Sequence, residues 1–203
     1  MVETAGPAPA RKRGRPTEHE RTQRLDEILD AAVRLFVAEG FEAVTLDHIA
    51  AAAKVAKRTI YTYLGDRTEV FLAAVERLRE RALHETQPSD GLAQLAETIV
   101  RTLHSDAAVG LHRLVIAEAG RFPDLARRFY DEGPGRYIAA LRERLGKEQK
   151  DRAEALFGLL LGEAHRERLL GLRAAPDETA ARAHARAALS LLSIADEREG
   201  AAP

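Results

Sequence analysis

The amino-acid sequence predicts an all-α protein: a three-helix N-terminal module followed by a larger helical domain, about nine helices in all. Three observations carry this. Apolar residues recur at three- and four-residue spacing along most of the chain, the signature of helices with one buried face. Ala and Leu abound while aromatic residues make up only 5%, which favours helix over sheet. Gly and Pro fall between the periodic segments, and nowhere does the alternation of a strand appear.

Residues 1–20 are rich in Pro, Gly and charge with no apolar period, and read as a disordered basic arm. Within it stands Arg13-Gly14-Arg15-Pro16, similar to the core of an AT-hook. Glycine permits close approach, proline keeps the chain extended, and the flanking arginines suit a narrow, electronegative minor groove. The first helix is predicted over 22–39, with Leu25, Ile28, Leu29, Ala32, Leu35 and Phe36 on one face and Gly40 as its stop. Thr45 then caps a second helix over 46–53 that buries Leu46, Ile49 and Ala50. A third begins near Ala56 or Lys57 and ends near Leu64-Gly65.

Asp66 caps a fourth helix over 67–85, with Val70, Phe71, Ala74, Val75 and Leu78 as its stripe. Pro88 breaks it, and Ser89 or Asp90 starts a fifth that runs to about Ser105. A sixth spans 107–119. A seventh starts near Pro123, is broken or kinked at Gly133-Pro134-Gly135, and ends near Gly146. Two long helices, 150–171 and 176–195, complete the chain. The implied organisation is an arm (1–20), a helix-turn-helix module (21–66) and a helical body (67–203).

Composition narrows the function classes. The 203 residues include 45% hydrophobic and 31% charged residues, an ordinary soluble mixture. The absence of cysteine excludes a disulfide framework and a cysteine-based zinc site. No apolar run approaches a membrane span, so a cytoplasmic protein without a membrane partner is expected. The formal net charge of −1 argues against a molecule coated in positive charge, yet bases cluster at Arg11–Arg15 and again at Lys54–Arg58.

The segment Thr45–Phe71 carries the chemistry. In the third helix Ile60 and Leu64 face inward, which leaves Lys57, Arg58 and Tyr61 sharing an outward face that is basic and aromatic. Such a face wants a polyanion, and two short helices joined by a tight turn match a module that lays its second helix in the major groove of double-stranded DNA.

Spaced landmarks strengthen this reading: Ile28-Leu29-Asp30-Ala31-Ala32, Leu35-Phe36, Gly40-Phe41, Thr45, Ile49-Ala50, Ile60-Tyr61 with Tyr63, and Gly65-Asp66-Arg67 before Phe71. In these, roughly the first 75 residues resemble the DNA-binding domain of TetR/AcrR-family bacterial regulators. Leu114–Ala119, with Arg121-Phe122-Pro123 and Phe129-Tyr130, is similar to the AefR-like C-terminal domain of some members. The resemblance implies phosphate contacts from Thr45, Tyr61, Tyr63 and Arg67, and base contacts from among Lys57, Arg58 and Thr59. It also implies a homodimer, a palindromic operator and a small-molecule effector that releases a repressor from DNA.

The turn departs from the family pattern of Gly, Val and Ser, having Lys54, Val55 and Ala56 instead. A lysine in a left-handed position costs about 1 kcal/mol relative to glycine, and Ala56 forfeits a cap worth about 1 kcal/mol. Lys54 gains a phosphate contact in exchange. Arg58 replaces a residue that is often small, and an arginine there suits a guanine edge, worth about 1–3 kcal/mol of discrimination.

For the dimer, Ala155, Gly158 and Gly162 form a small-residue strip flanked by Leu169, and Ala185, Leu189 and Leu192 form a similar surface on the last helix. For the effector, His104, His112, Phe129, Tyr130, Tyr137 and His165 supply an apolar wall with polar handles. His104, His112 and Glu118 are not spaced as a compact metal site, so neither metal nor cofactor is expected. No nucleophile–base pair or phosphate loop suggests an enzyme. An architectural protein binding DNA through its arm with little sequence preference is the alternative, disfavoured by the near-neutral charge and the large body.

Overall fold

In a computed structural model, which describes residues 17–84, 91–146 and 149–194, ten α-helices and no strand occur among the described residues. Arg13, Gly14, Arg15 and Pro16 lie outside the described residues, as do Pro88, Ser89 and Asp90. The helices are α1 (Glu18–Glu39), α2 (Leu46–Ala52), α3 (Lys57–Tyr63), α4 (Arg67–His84) and α5 (Leu92–Leu103). There follow α6 (Asp106–Glu118), α7 (Pro123–Glu132), α8 (Pro134–Leu145), α9 (Lys150–Leu170) and α10 (Glu178–Leu191). The expected break at Gly133-Pro134 divides the seventh predicted helix into α7 and α8.

Helix α1 starts four residues before the predicted Thr22, which corrects the reading of 17–20 as part of a disordered arm. The reason is a capping box. Thr17 Oγ1 accepts the Glu20 amide at 3.2 Å, and the Glu20 carboxylate accepts the Thr17 amide at 2.8 Å. Helix α5 starts after Gly91, without a side-chain cap.

Two apolar cores organise the chain. The first joins α1–α4 to α6 and α7 around Phe36, Phe41 and Phe71, all essentially inaccessible. Phe36 stacks on Phe41 at 5.6 Å between ring centroids, and Phe71 meets both edge-on at 5.7 and 5.8 Å. The second core packs α5, α8, α9 and α10 around Leu95, Ile99, Tyr137, Leu141, Leu156 and Leu160. Helix α4 serves both, with Val70, Phe71 and Ala74 in the first core and Ala82 in the second. The predicted boundary at residue 66 therefore falls before helical turns that pack with the N-terminal module. Arg77 of α4 clasps α1, donating to the Asp26 carbonyl at 2.8 Å, to its carboxylate at 3.0 Å, and to Asp30. At Gly110, α6 comes so close to α1 that an added Cβ would lie 2.5 Å from a Val37 methyl.

The two C-terminal helices revise the expected dimer surface. Ala185 and Leu189 are buried within the protomer, where α10 lies along α5. The apolar period of α10 thus serves the chain's own core, a use that periodicity alone does not distinguish from an interface. Leu192 caps α10 and packs on the same core. In α9, Ala155 and Gly158 are exposed and Leu169 is half-buried. Gly162 instead leaves helical geometry (φ 56°, ψ −162°), and its missing Cβ would point at His184 of α10, 3.7 Å away. It is an intramolecular contact and not part of an outer strip.

Candidate nucleic-acid interface and core cavity

Helix α2 begins at Thr45, whose Oγ1 accepts the His48 amide at 3.2 Å, and it buries Leu46, Ile49 and Ala50. The chain reverses at Lys54 in the left-handed region (φ 55°) and enters α3 at Ala56 with no side-chain cap. Packing holds α3 in place: Ile60 is fully buried against the first core and Leu64 packs beside it. Replacing Lys54 by Gly is expected to stabilise the fold by about 1 kcal/mol, because glycine adopts that conformation without a Cβ clash. Equilibrium unfolding in urea checks this, and an unchanged midpoint would rule out strain at the turn.

With Ile60 inside, α3 turns Lys57, Arg58 and Tyr61 outward, and Tyr61 is 56% exposed. Lys57 donates to Asp47 at 2.8 Å, and that hydrogen bond to the carboxylate raises the lysine pKa. This bond ties the first turn of α3 to α2. Thr59 is half-buried and shares a surface groove with Lys54 and, on α1, with Arg24 and Arg34 and the acidic Glu27 and Asp30. Tyr63 lies under the Arg21 guanidinium, 5.0 Å from its ring centre. The structure thus adds three α1 arginines to this surface, which the sequence analysis did not single out. Their clue was the spacing of Arg21 and Arg24 on one face of α1.

Arg67 is engaged inside the protein. It donates to the Glu42 and Val44 carbonyls at 2.7 and 3.1 Å and stacks 4.4 Å from the Phe41 ring centre. It fastens α4 to the loop that leads into α2, so its charge sits near the interface while its hydrogen bonds hold the module's shape.

Deeper in the chain, residues of α4 through α9 line a cavity of about 50 Å³. Of the residues expected to line it, His112, Phe129, Tyr137 and His165 do so. His104 is buried behind the wall, its ring 5.1 Å from that of His165. Tyr130 is 55% exposed on the outer side of α7, a correction that follows from helical geometry, since adjacent residues point about 100° apart. Arg79 also lines the cavity, with its guanidinium donating to the Glu132 carbonyl at 2.7 Å, the Glu132 carboxylate at 3.1 Å and Glu76 at 3.2 Å.

Four imidazoles run side by side in the order His184, His104, His165 and His112, at centroid spacings of 5.5, 5.1 and 5.2 Å. His104 and His184 donate through Nε2 to the Leu160 and Leu159 carbonyls, at 3.0 and 2.9 Å, just ahead of the helical break at Gly162. His112 Nδ1 and His165 Nε2 share one proton at 3.0 Å. Burial pushes the pKa of His104 and His112 down. His165 is pushed down to about 4 by burial first, then by His112, His104 and Arg168. Arg168, itself buried, donates to the His104 carbonyl at 3.0 Å, the Arg173 carbonyl at 2.8 Å and Asp106 at 2.6 Å. The rings do not converge on a point, and among the described residues no group of three or more His, Asp or Glu is arranged to hold a metal ion. No helix of the described residues is long and apolar enough to cross a membrane.

Comparison with known proteins places this geometry. Residues 28–74 match the family model for bacterial regulatory proteins of the tetR family. Residues 90–194 match that of the AefR-like transcriptional repressor, C-terminal domain. The HTH-type transcriptional regulator AcrR of Shigella flexneri is 30% identical over 109 residues, covering 50% of each chain. YdeS of Bacillus subtilis, an uncharacterised HTH-type transcriptional regulator, is 46% identical over 61 residues, 30% of this chain and 29% of its own. The chain spans about half the length, or less, of these curated relatives. Among solved structures, the flavonoid-responsive regulator FrrA superposes with a TM-score of 0.63 at 28% identity, over 84% of this chain and 95% of its own. A TetR-family regulator from Mesorhizobium loti gives 0.58 at 25% identity, over 87% and 98%. With one family model on the N-terminal module and another on more than half of the chain, the chain belongs to the TetR family of bacterial regulatory proteins, in the group with an AefR-like C-terminal domain.

Proposed function

We propose that the chain is a ligand-responsive transcriptional repressor that binds a palindromic operator as a homodimer. The observation that carries this is the division of α3: Ile60 is fully buried while Lys57, Arg58 and Tyr61 stand outward, beside the exposed bases of α1. Lys57, Arg58 and Thr59 read base edges, and Thr45, Lys54, Tyr61 and Tyr63 meet phosphates. Arg67 adds charge while holding the module's shape. One module covers too short a site for specificity, which is why two are needed. The outer face of α9 at Ala155 and Gly158 is the proposed contact between protomers, together with the exposed Leu170, Leu172 and Leu191.

The cavity is the proposed effector site. It touches α4 through Val75, Leu78 and Arg79, and α4 carries the module on its first turns. A ligand that favours another placement of α4 shifts the population away from the DNA-binding form. FrrA responds to flavonoids by its name, which supports ligand control in a protein of this fold.

Substituting Arg58→Ala and Tyr61→Ala separately is expected to weaken operator binding about tenfold or more each. Fluorescence anisotropy with an operator recovered from a random-sequence selection checks this. Undiminished affinity in both variants would overturn the assignment of α3.

A further inference from the structure

We infer that the cavity takes a small, uncharged, mainly apolar molecule that carries a hydroxyl group, held by Tyr137 Oη and His165 Nδ1. The inference rests on the ligand-responsive reading above and names the class of ligand. Its starting point is two buried polar atoms without a partner. Tyr137 is 2% exposed and His165 5%, both line the cavity, and neither Tyr137 Oη nor His165 Nδ1 has a hydrogen-bond partner. An unpaired buried polar atom is destabilising unless something else supplies the bond.

The tautomers narrow what that partner is. The contact between His112 Nδ1 and His165 Nε2 uses one proton. If His165 gives it, His165 Nδ1 is an acceptor; if His112 gives it, His165 Nδ1 carries the hydrogen and is a donor. A hydroxyl, both donor and acceptor, satisfies either arrangement as well as the phenol of Tyr137. A carboxylate only accepts.

Charge makes the same selection. Arg79, the cation in the wall, has Glu132 on one guanidinium nitrogen and Glu76 on the other, so it is already compensated. The neighbouring imidazoles are held neutral by burial. A ligand anion would give up its water and meet no free positive charge. Apart from Thr102, the rest of the wall is mainly apolar, with Val75, Leu78, Leu111, Phe129, Phe157 and Leu161. At about 50 Å³ the cavity is smaller than the roughly 150 Å³ that admits benzene in an engineered core. Binding therefore moves the wall, which is the structural response that regulation requires.

The test uses the full chain and three probes of one skeleton: 4-ethylphenol, ethylbenzene and 4-ethylbenzoate, titrated at pH 8 by calorimetry without DNA. The expected order is 4-ethylphenol about five- to tenfold tighter than ethylbenzene, with 4-ethylbenzoate weaker than both. Tyr137→Phe keeps the ring and removes the unpartnered oxygen, so the variant folds with an unchanged or higher Tm. In it the advantage of 4-ethylphenol over ethylbenzene shrinks or vanishes while ethylbenzene binds as before. Equal binding of phenol and hydrocarbon to the wild type, benzoate binding as tight as the phenol, an undiminished phenol advantage in the variant, or no binding of any probe would each overturn the inference. Operator release is measured separately: a phenol that binds as described but leaves operator affinity unchanged counts against the effector role alone.

Discussion

Phe71→Ala is expected to lower the free energy of unfolding by about 3–5 kcal/mol, the range for deleting a fully buried aromatic side chain. Phe71 is 0% exposed on α4, edge-on to Phe36 of α1 and to Phe41, and 6.4 Å from Phe129 of α7. No single neighbour can fill the space, because the three rings belong to different segments. Part of the loss is transfer energy and part is the cavity left between them. Phe71→Leu, which retains more of the volume, is expected to cost less. Urea unfolding of both variants at constant pH supplies the comparison. A loss under about 1 kcal/mol for the alanine variant would mean that the aromatic group does not hold the module to the body.

Acid should unfold the protein through its histidines before most carboxylates are protonated. In the unfolded chain a histidine titrates near 6.5. In the folded protein His165 is pushed down to about 4, and His104 and His112 also lie below their ordinary value. Between those limits the unfolded chain binds more protons than the folded one, so stability is fully present above about pH 6.5. It falls as pH drops, and the loss from His165 is complete once pH has passed through about 4. Over that window His165 alone removes on the order of 3 kcal/mol, with His104 and His112 acting in the same direction. Unfolding free energies measured from pH 7.5 to 4.5 should therefore fall steeply in the wild type and less steeply in His165→Leu. Parallel slopes in the two proteins would show that the imidazole row does not govern acid stability.

Helices α1–α3 were legible because their signals are local. Thr45 before Leu46, Gly40 after Glu39, and the spacing of Ile49, Ile60 and Leu64 each specify an element without reference to distant residues. Even the missed start of α1 was written locally, as Thr17 and Glu20 three residues apart. The dimer surface was less legible. Ala185 and Leu189 repeat as an interface would, but whether such a stripe meets another protomer or α5 depends on where a helix some 85 residues earlier comes to rest. Arg67 shows the same limit: its charge was evident, while its bonds to Glu42 and Val44 exist only in the folded loop. In the cavity, four of six expected residues were found, and Arg79 with its carboxylates was not expected. An ion pair formed across α4 and α7 by the buried Arg79 and the partly exposed Glu132 leaves no mark in periodicity.

The close approach at Gly110 has a mechanical consequence. On one side of α6, Ala108, Leu111 and His112 border the cavity; on the other, Gly110 receives the methyl groups of Val37 on α1. Helix α6 is thus a party wall between the chamber and the reading module, and at residue 110 that wall has no thickness to compress. Under the proposed effector control, a guest that pushed α6 outward would act on α1 through this contact, while α4 would be levered from the same cavity at Val75 and Leu78. The module is therefore geared to the body at two points, and their unequal movement would turn it as well as shift it.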